Sequence, residues 1–232
     1  MSNKLRVRYF GTWGYGKSGL EGLMECENVN IVKVFTKWDL ESGNSYYNQV
    51  FELASQTKAV IINSQKEKIS KSEFENEILN SGKIDFIVSC CFDRFFSNSI
   101  LNFPEGAAVN IHPSLLPKYR GVKPLENALM NGENEIGVTL HLLTTEMDSG
   151  DILVQKRDHI NHNQTFGELY TLQCSQIKDC IKIFFENPEK HIASRRKQDE
   201  EEKTFAPRLP FEISDTDKVT DIIEKGRERK II

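Results

Sequence analysis

Residues 85–91, DFIVSCC, form an almost unbroken apolar run of strand length, and residues 107–111, AAVNI, form another. Runs of this kind belong to strands covered on both faces, which is the situation in parallel sheets flanked by helices. The neighbouring segments keep the same rhythm. Residues 5–10 alternate apolar and basic side chains and stop at Gly11, while 29–35 and 59–62 read as further strands. Helical spacing of apolar residues appears around 20–26, over 46–56 and over 72–79. The alternation predicts right-handed βαβ units, hence a mostly parallel, doubly wound (Rossmann-like) α/β sheet with helices on both faces.

After about residue 132 the pattern changes. Residues 136–143 and 152–160 read as neighbouring strands joined across a short loop, MDSGD. A long helix is expected over 166–185, closed by Asn187-Pro188. The charge run 197–203 reads as solvated surface, and the stretch from Thr204 as short and polar. The expected organisation is a catalytic domain over 1–190 and a short C-terminal extension over 191–232.

A chain of 232 residues buries enough core to need no metal or disulfide staple. Its formal net charge of -4 weighs against holding a nucleic-acid backbone. The cysteines, Cys26, Cys90, Cys91, Cys174 and Cys180, lack CxxC spacing, so reduced intracellular thiols and no metal are expected. No run approaches the ~18 apolar residues of a membrane span, and the N-terminal residues enter a strand pattern without a signal-peptide core. A cytoplasmic chain with no membrane and no nucleic-acid partner is the expectation.

Two motifs compete for the function. GTWGYGKS, residues 11–18, fits GxxxxGK[ST] between a strand and a helix. In a phosphate loop the backbone N–H groups wrap phosphate, while the lysine and serine reach the γ-phosphate and magnesium. Trp13 and Tyr15 are bulky for that task, and the acidic residue placed to steady magnesium, Asp93, lies in a segment with another reading. The plainer reading is a glycine-rich first turn facing ligand at the carboxyl end of a strand. A nucleotide-binding kinase or switch is the rival.

The second motif is VNIHPSLLPKYRG, residues 109–121, followed by GVTLH at 137–141 and EMDSGDI at 146–152. Asn110 and His112 are two apart at a strand end, so both leave one face. Pro113 keeps His112 extended, and Asp148 sits in a tight loop between the later strands. An amide, an imidazole and a carboxylate converging there suit acyl transfer to an amine: a donor for the oxyanion, a proton carrier and its partner. His141, His159, His162 and His191 are read as ordinary histidines.

On these residues the sequence resembles the folate-dependent formyltransferases, most closely those acting on sugar nucleotides. The resemblance implies 10-formyltetrahydrofolate as cosubstrate and assigns Asn110, His112 and Asp148 as catalytic. SCCFDRFF, residues 89–96, resembles the segment that receives the pterin ring, so Phe92, Asp93, Arg94 and Phe96, with Gly150, are the folate-binding candidates. Trp13 and Tyr15 for a base, Lys17 for a pyrophosphate, and Arg120 are the substrate-binding candidates. They suit a small-molecule nucleotide-sugar substrate, with dTDP-4-amino-4,6-dideoxyglucose the specific expectation and a homodimer the candidate assembly. Glycinamide ribonucleotide and methionyl-tRNA are the alternative acceptors within the family.

Overall fold

The computed structural model describes residues 4–41, 45–65, 68–80, 82–209 and 211–229. β1 (Leu5–Gly11), α1 (Trp13–Met24), β2 (Val29–Thr36), α2 (Ser45–Ala54), β3 (Val60–Asn63), α3 (Lys71–Leu79), β4 (Phe86–Cys90), α4 (Asn98–Leu101) and β5 (Ala107–His112) alternate as the sequence predicts. A short β6 (Arg120–Gly121) and α5 (Pro124–Met130) lead to β7 (Glu135–Leu142) and β8 (Ile152–His159). Then come α6 (Phe166–Glu186), α7 (Pro188–Ala193), β9 (Phe205–Ala206) and α8 (Val219–Arg229).

The main sheet has seven strands in the order β3-β2-β1-β4-β5-β7-β8. From β3 to β5 all neighbours are parallel; β7 and β8 are added antiparallel. The chain winds outward from β1 to β3, then returns to lay β4 on the other side of β1. That reversal opens a crevice at the carboxyl ends of β1 and β4, where open α/β sheets receive ligands.

Alternation along β1 divides the core. Val7 and Tyr9 meet Leu20 and Leu23 of α1 with Ile177, Ile181 and Phe184 of α6. Phe10, on the opposite face, stacks on Phe35 at 4.4 Å between ring centroids and packs with Phe74, Ile78 and Ile100. α6 starts at Phe166 because Thr165 caps it: its hydroxyl accepts from Glu168 N, and the Glu168 carboxylate accepts from Thr165 N at 2.8 Å.

Three elements differ from the sequence reading. α1 begins at Trp13 rather than near Leu20, so the glycine-rich segment is helix and not turn. Its glycines permit close approach: a Cβ on Gly16 would lie 2.9 Å from the Gly11 carbonyl carbon, and one on Gly19 would lie 2.4 Å from Tyr9 Oη. The stretch after Thr204 is not merely polar tail. β9 pairs with β6, and α8 buries Val219 and Ile222 against Leu125 and Leu129 of α5. In the charge run 197–203, Gln198 is buried rather than solvated. Among the described residues no helix is long and apolar enough to cross a membrane.

Candidate active site

β5 ends in Asn110-Ile111-His112, and its register with β7 sets Asn110 opposite His141 and His112 opposite Thr139. Asp148 enters from the β7–β8 loop in a left-handed backbone conformation, φ 52°, which for a residue with a Cβ persists only when its surroundings hold it. The three residues proposed from sequence thus come together, and a fourth joins them. Asn110 Nδ2 lies 3.3 Å from Asp148 Oδ1 and 3.2 Å from His141 Nε2. His112 Nδ1 is 3.6 Å from Asp148 Oδ2, and His141 Nε2 is 3.7 Å from Oδ1. The Gly121 N–H donates to Asp148 Oδ2 at 2.9 Å.

Backbone carbonyls fix both imidazoles. A carbonyl oxygen only accepts, so His112 Nε2, 2.8 Å from Tyr119 O, carries its proton. His141 Nδ1 likewise donates to Leu142 O at 2.8 Å. In the neutral rings the remaining nitrogens, His112 Nδ1 and His141 Nε2, are bases facing the same carboxylate. Burial by itself would raise the Asp148 carboxyl; the His112 charge, the His141 hydrogen bond and charge, and the Gly121 N–H outweigh it and hold Asp148 well below the ordinary carboxylate range. The carboxylate therefore stays ionised between the two imidazoles. One N–H of Asn110 donates to Asp148 Oδ1, and the other meets His141 Nε2 only when that nitrogen is unprotonated.

The other sequence candidates have mixed placements. Phe92 stands half-buried over the Phe10, Phe74 and Phe96 rings. Phe96 itself is core, 5.0 Å edge-on to Phe10, and is too covered to receive a pterin directly. Asp93 pairs with Lys37, and the Arg94 guanidinium lies 4.5 Å over the Phe74 ring. Both stiffen the loop after β4. Gly150 passes so near β7 that a Cβ there would be 1.9 Å from Leu142 O.

The substrate-binding candidates need correction. The Tyr15 phenol donates to Gln173 Oε1 at 2.5 Å and its ring lies 4.3 Å from that of Tyr170, so it ties α1 to α6. Lys17 projects from a helix and pairs with Glu21 at 3.7 Å; with Gly14 to Ser18 helical, no loop remains to wrap a phosphate. Arg120 is buried with its guanidinium occupied by Gln198 and Glu200. Trp13, half-buried with φ 58° at the start of α1, remains at the crevice. The histidine the sequence reading passed over, His141, carried one signal, its place in the GVTLH run. The signal becomes specific only once β7 is paired with β5.

The family model for formyl transferases matches residues 20–176, which include all four residues of the cluster. The chain belongs to the formyl transferase family. It is 30% identical over 218 residues to the methionyl-tRNA formyltransferase of Protochlamydia amoebophila, covering 93% of this chain and 68% of that protein. It is 31% identical over 211 residues to that of Thermotoga neapolitana, covering 90% and 66%. The chain thus spans about two thirds of these relatives' length. Among formyl transferases of known structure, phosphoribosylglycinamide formyltransferase from Bacillus halodurans superposes with TM-score 0.68 at 25% identity, over 80% of this chain and 96% of that one. An N-formyltransferase from Helicobacter canadensis, solved with folinic acid and dTDP-3-aminofucose, gives 0.65 at 22% identity over 90% and 72%, a likeness of fold alone.

Proposed function

We propose that the protein moves the formyl group of 10-formyltetrahydrofolate onto the primary amine of a nucleotide-linked amino sugar, with dTDP-4-amino-4,6-dideoxyglucose as the specific acceptor. The observation that carries formyl transfer is the cluster of Asn110, His112 and Asp148 at the end of β5, in which an ionised carboxylate faces His112 Nδ1 at 3.6 Å. The amine attacks the formyl carbon as its neutral form. The tetrahedral oxyanion is met by the Asn110 amide, while His112 enters the step as the neutral imidazole. His112 carries a proton from the attacking nitrogen to the departing folate nitrogen, and Asp148 stabilises the imidazolium between those steps. The loop after β4, with Phe92 at its start, is the proposed seat of the pterin.

Trp13 at the crevice and a net charge of -4 favour a small nucleotide over a long polyanion. The identity to curated methionyl-tRNA formyltransferases favours a second reading, in which the acceptor is a methionyl-tRNA.

A direct assay separates these. The protein is given 10-formyltetrahydrofolate with dTDP-4-amino-4,6-dideoxyglucose, glycinamide ribonucleotide or methionyl-tRNA, and tetrahydrofolate release is followed. Turnover is expected with the nucleotide sugar, and His112→Ala should reduce it by about 10²- to 10⁴-fold. Turnover with methionyl-tRNA alone overturns the acceptor and leaves the chemistry; no formyl transfer to any amine overturns both.

A further inference from the structure

Gln198 lies outside residues 20–176, in the charged stretch between α7 and β9, yet it is 8% exposed. Its amide is fully used. Nε2 donates to Asp148 O and to Gly150 O, each at 2.8 Å. Oε1 accepts from Arg120 Nε at 3.1 Å and from its Nη2 at 2.8 Å. Glu200 takes the adjoining edge of the guanidinium, 2.6 Å from Nη2 and 3.4 Å from Nη1. The stretch is anchored upstream by Arg196, which exchanges backbone hydrogen bonds with Ile152 at the start of β8.

Those contacts grip both sides of one interaction. Arg120 is the residue before Gly121, whose N–H donates to the Asp148 carboxylate. Asp148 O belongs to the residue that carries that carboxylate, in a left-handed conformation that needs external support. A side chain holding the Arg120 guanidinium with one end and the Asp148 and Gly150 carbonyls with the other sets the distance between the two segments.

We propose that Gln198 is a positioning residue, which fixes the Asp148 carboxylate against His112 by clamping Arg120–Gly121 to the Asp148–Gly150 turn. This rests on the formyl-transfer reading for its kinetic consequence and on the hydrogen bonds for its structural one. The residue touches neither substrate nor a reacting atom and acts through Asp148. Its amide is needed in full, because Nε2 serves the turn and Oε1 serves the arginine.

The test uses Gln198→Leu, which removes both ends, and Gln198→Glu, which keeps the acceptor for Arg120 and removes the donor to the turn. Each should lower kcat by about 10- to 100-fold, the cost of a small misplacement, with KM for the folate changed by less than about threefold. In an Asp148→Asn background either change should add less than about threefold, since a residue acting through Asp148 has little left to disturb. Additive losses, or a rise in KM alone, would overturn the proposal. Hydrogen exchange at the Gly121 amide gives a readout independent of catalysis: it should speed up in both variants of the folded full chain. Unchanged protection of Gly121 would also overturn the proposal. If the wild type formylates no amine, the functional reading falls, and Gly121 exchange still decides the role of Gln198.

Discussion

Asp148 sits among groups that want its charge. The two imidazoles, the Gly121 N–H and the Asn110 amide all gain when it is ionised, and together they overcome burial that works the other way. The carboxyl is thus more acidic in the folded chain than in the unfolded one, so the unfolded chain takes a proton first as pH falls. Its stabilisation is fully present above about pH 4, the unfolded value, and is lost as pH drops toward the folded value. In urea melts at about pH 5 to 6, wild type should therefore exceed Asp148→Asn in midpoint, and the gap should close below about pH 4. A gap that widened on acidification would show that the carboxyl is not depressed. By the same logic, an acid limb of activity above about pH 4 belongs to another group. At this scale the sequence was legible where chemistry and alternation coincide. Asn110 and His112, two apart on one strand, display their common face directly. His141 reaches them only through antiparallel register across 31 positions, and nothing local to GVTLH announces it.

The first helix shows how one string of residues supports two physical accounts. Glycine repeated near a strand end reads as a loop that folds around phosphate, or as a helix face that must come close to its neighbours. The distances decide for the helix. Gly16→Ala would push a methyl against the Gly11 backbone, which has no rotamer with which to yield, and should cost about 1–3 kcal/mol by overpacking. Lys17→Ala removes a surface pair with Glu21 and should change stability by less than about 1 kcal/mol. Thermal melts of the two variants check the contrast; a large loss at Lys17 with none at Gly16 would return the segment to a loop. α8 was illegible for the opposite reason. Only Val219, Ile222 and Ile223 mark its apolar side among charged neighbours, too few to stand out without knowing that α5 offers a partner.

Taken whole, the molecule is a sheet with its chemistry on one rim and its later chain folded back over that rim. β9 lies beside β6, Thr204 accepts from Tyr119 N at 2.9 Å, and α8 closes on α5 through a fully buried Ile222. Ile222→Ala should cost about 2–5 kcal/mol, as a buried truncation does, read as a shifted urea midpoint in the full chain. A change below about 0.5 kcal/mol would mean that α8 is only loosely docked. The clamp on Asp148 also has a meaning in time. A ribosome delivers the chain from its N-terminus, and domains condense as their elements emerge. All seven strands of the main sheet precede residue 160, whereas the residue gripping the Asp148 turn comes 50 positions after that aspartate. A nascent chain can hold its sheet and its histidines and still lack a set carboxylate. Catalytic competence would arrive later than the main sheet, gated by the emergence of one glutamine.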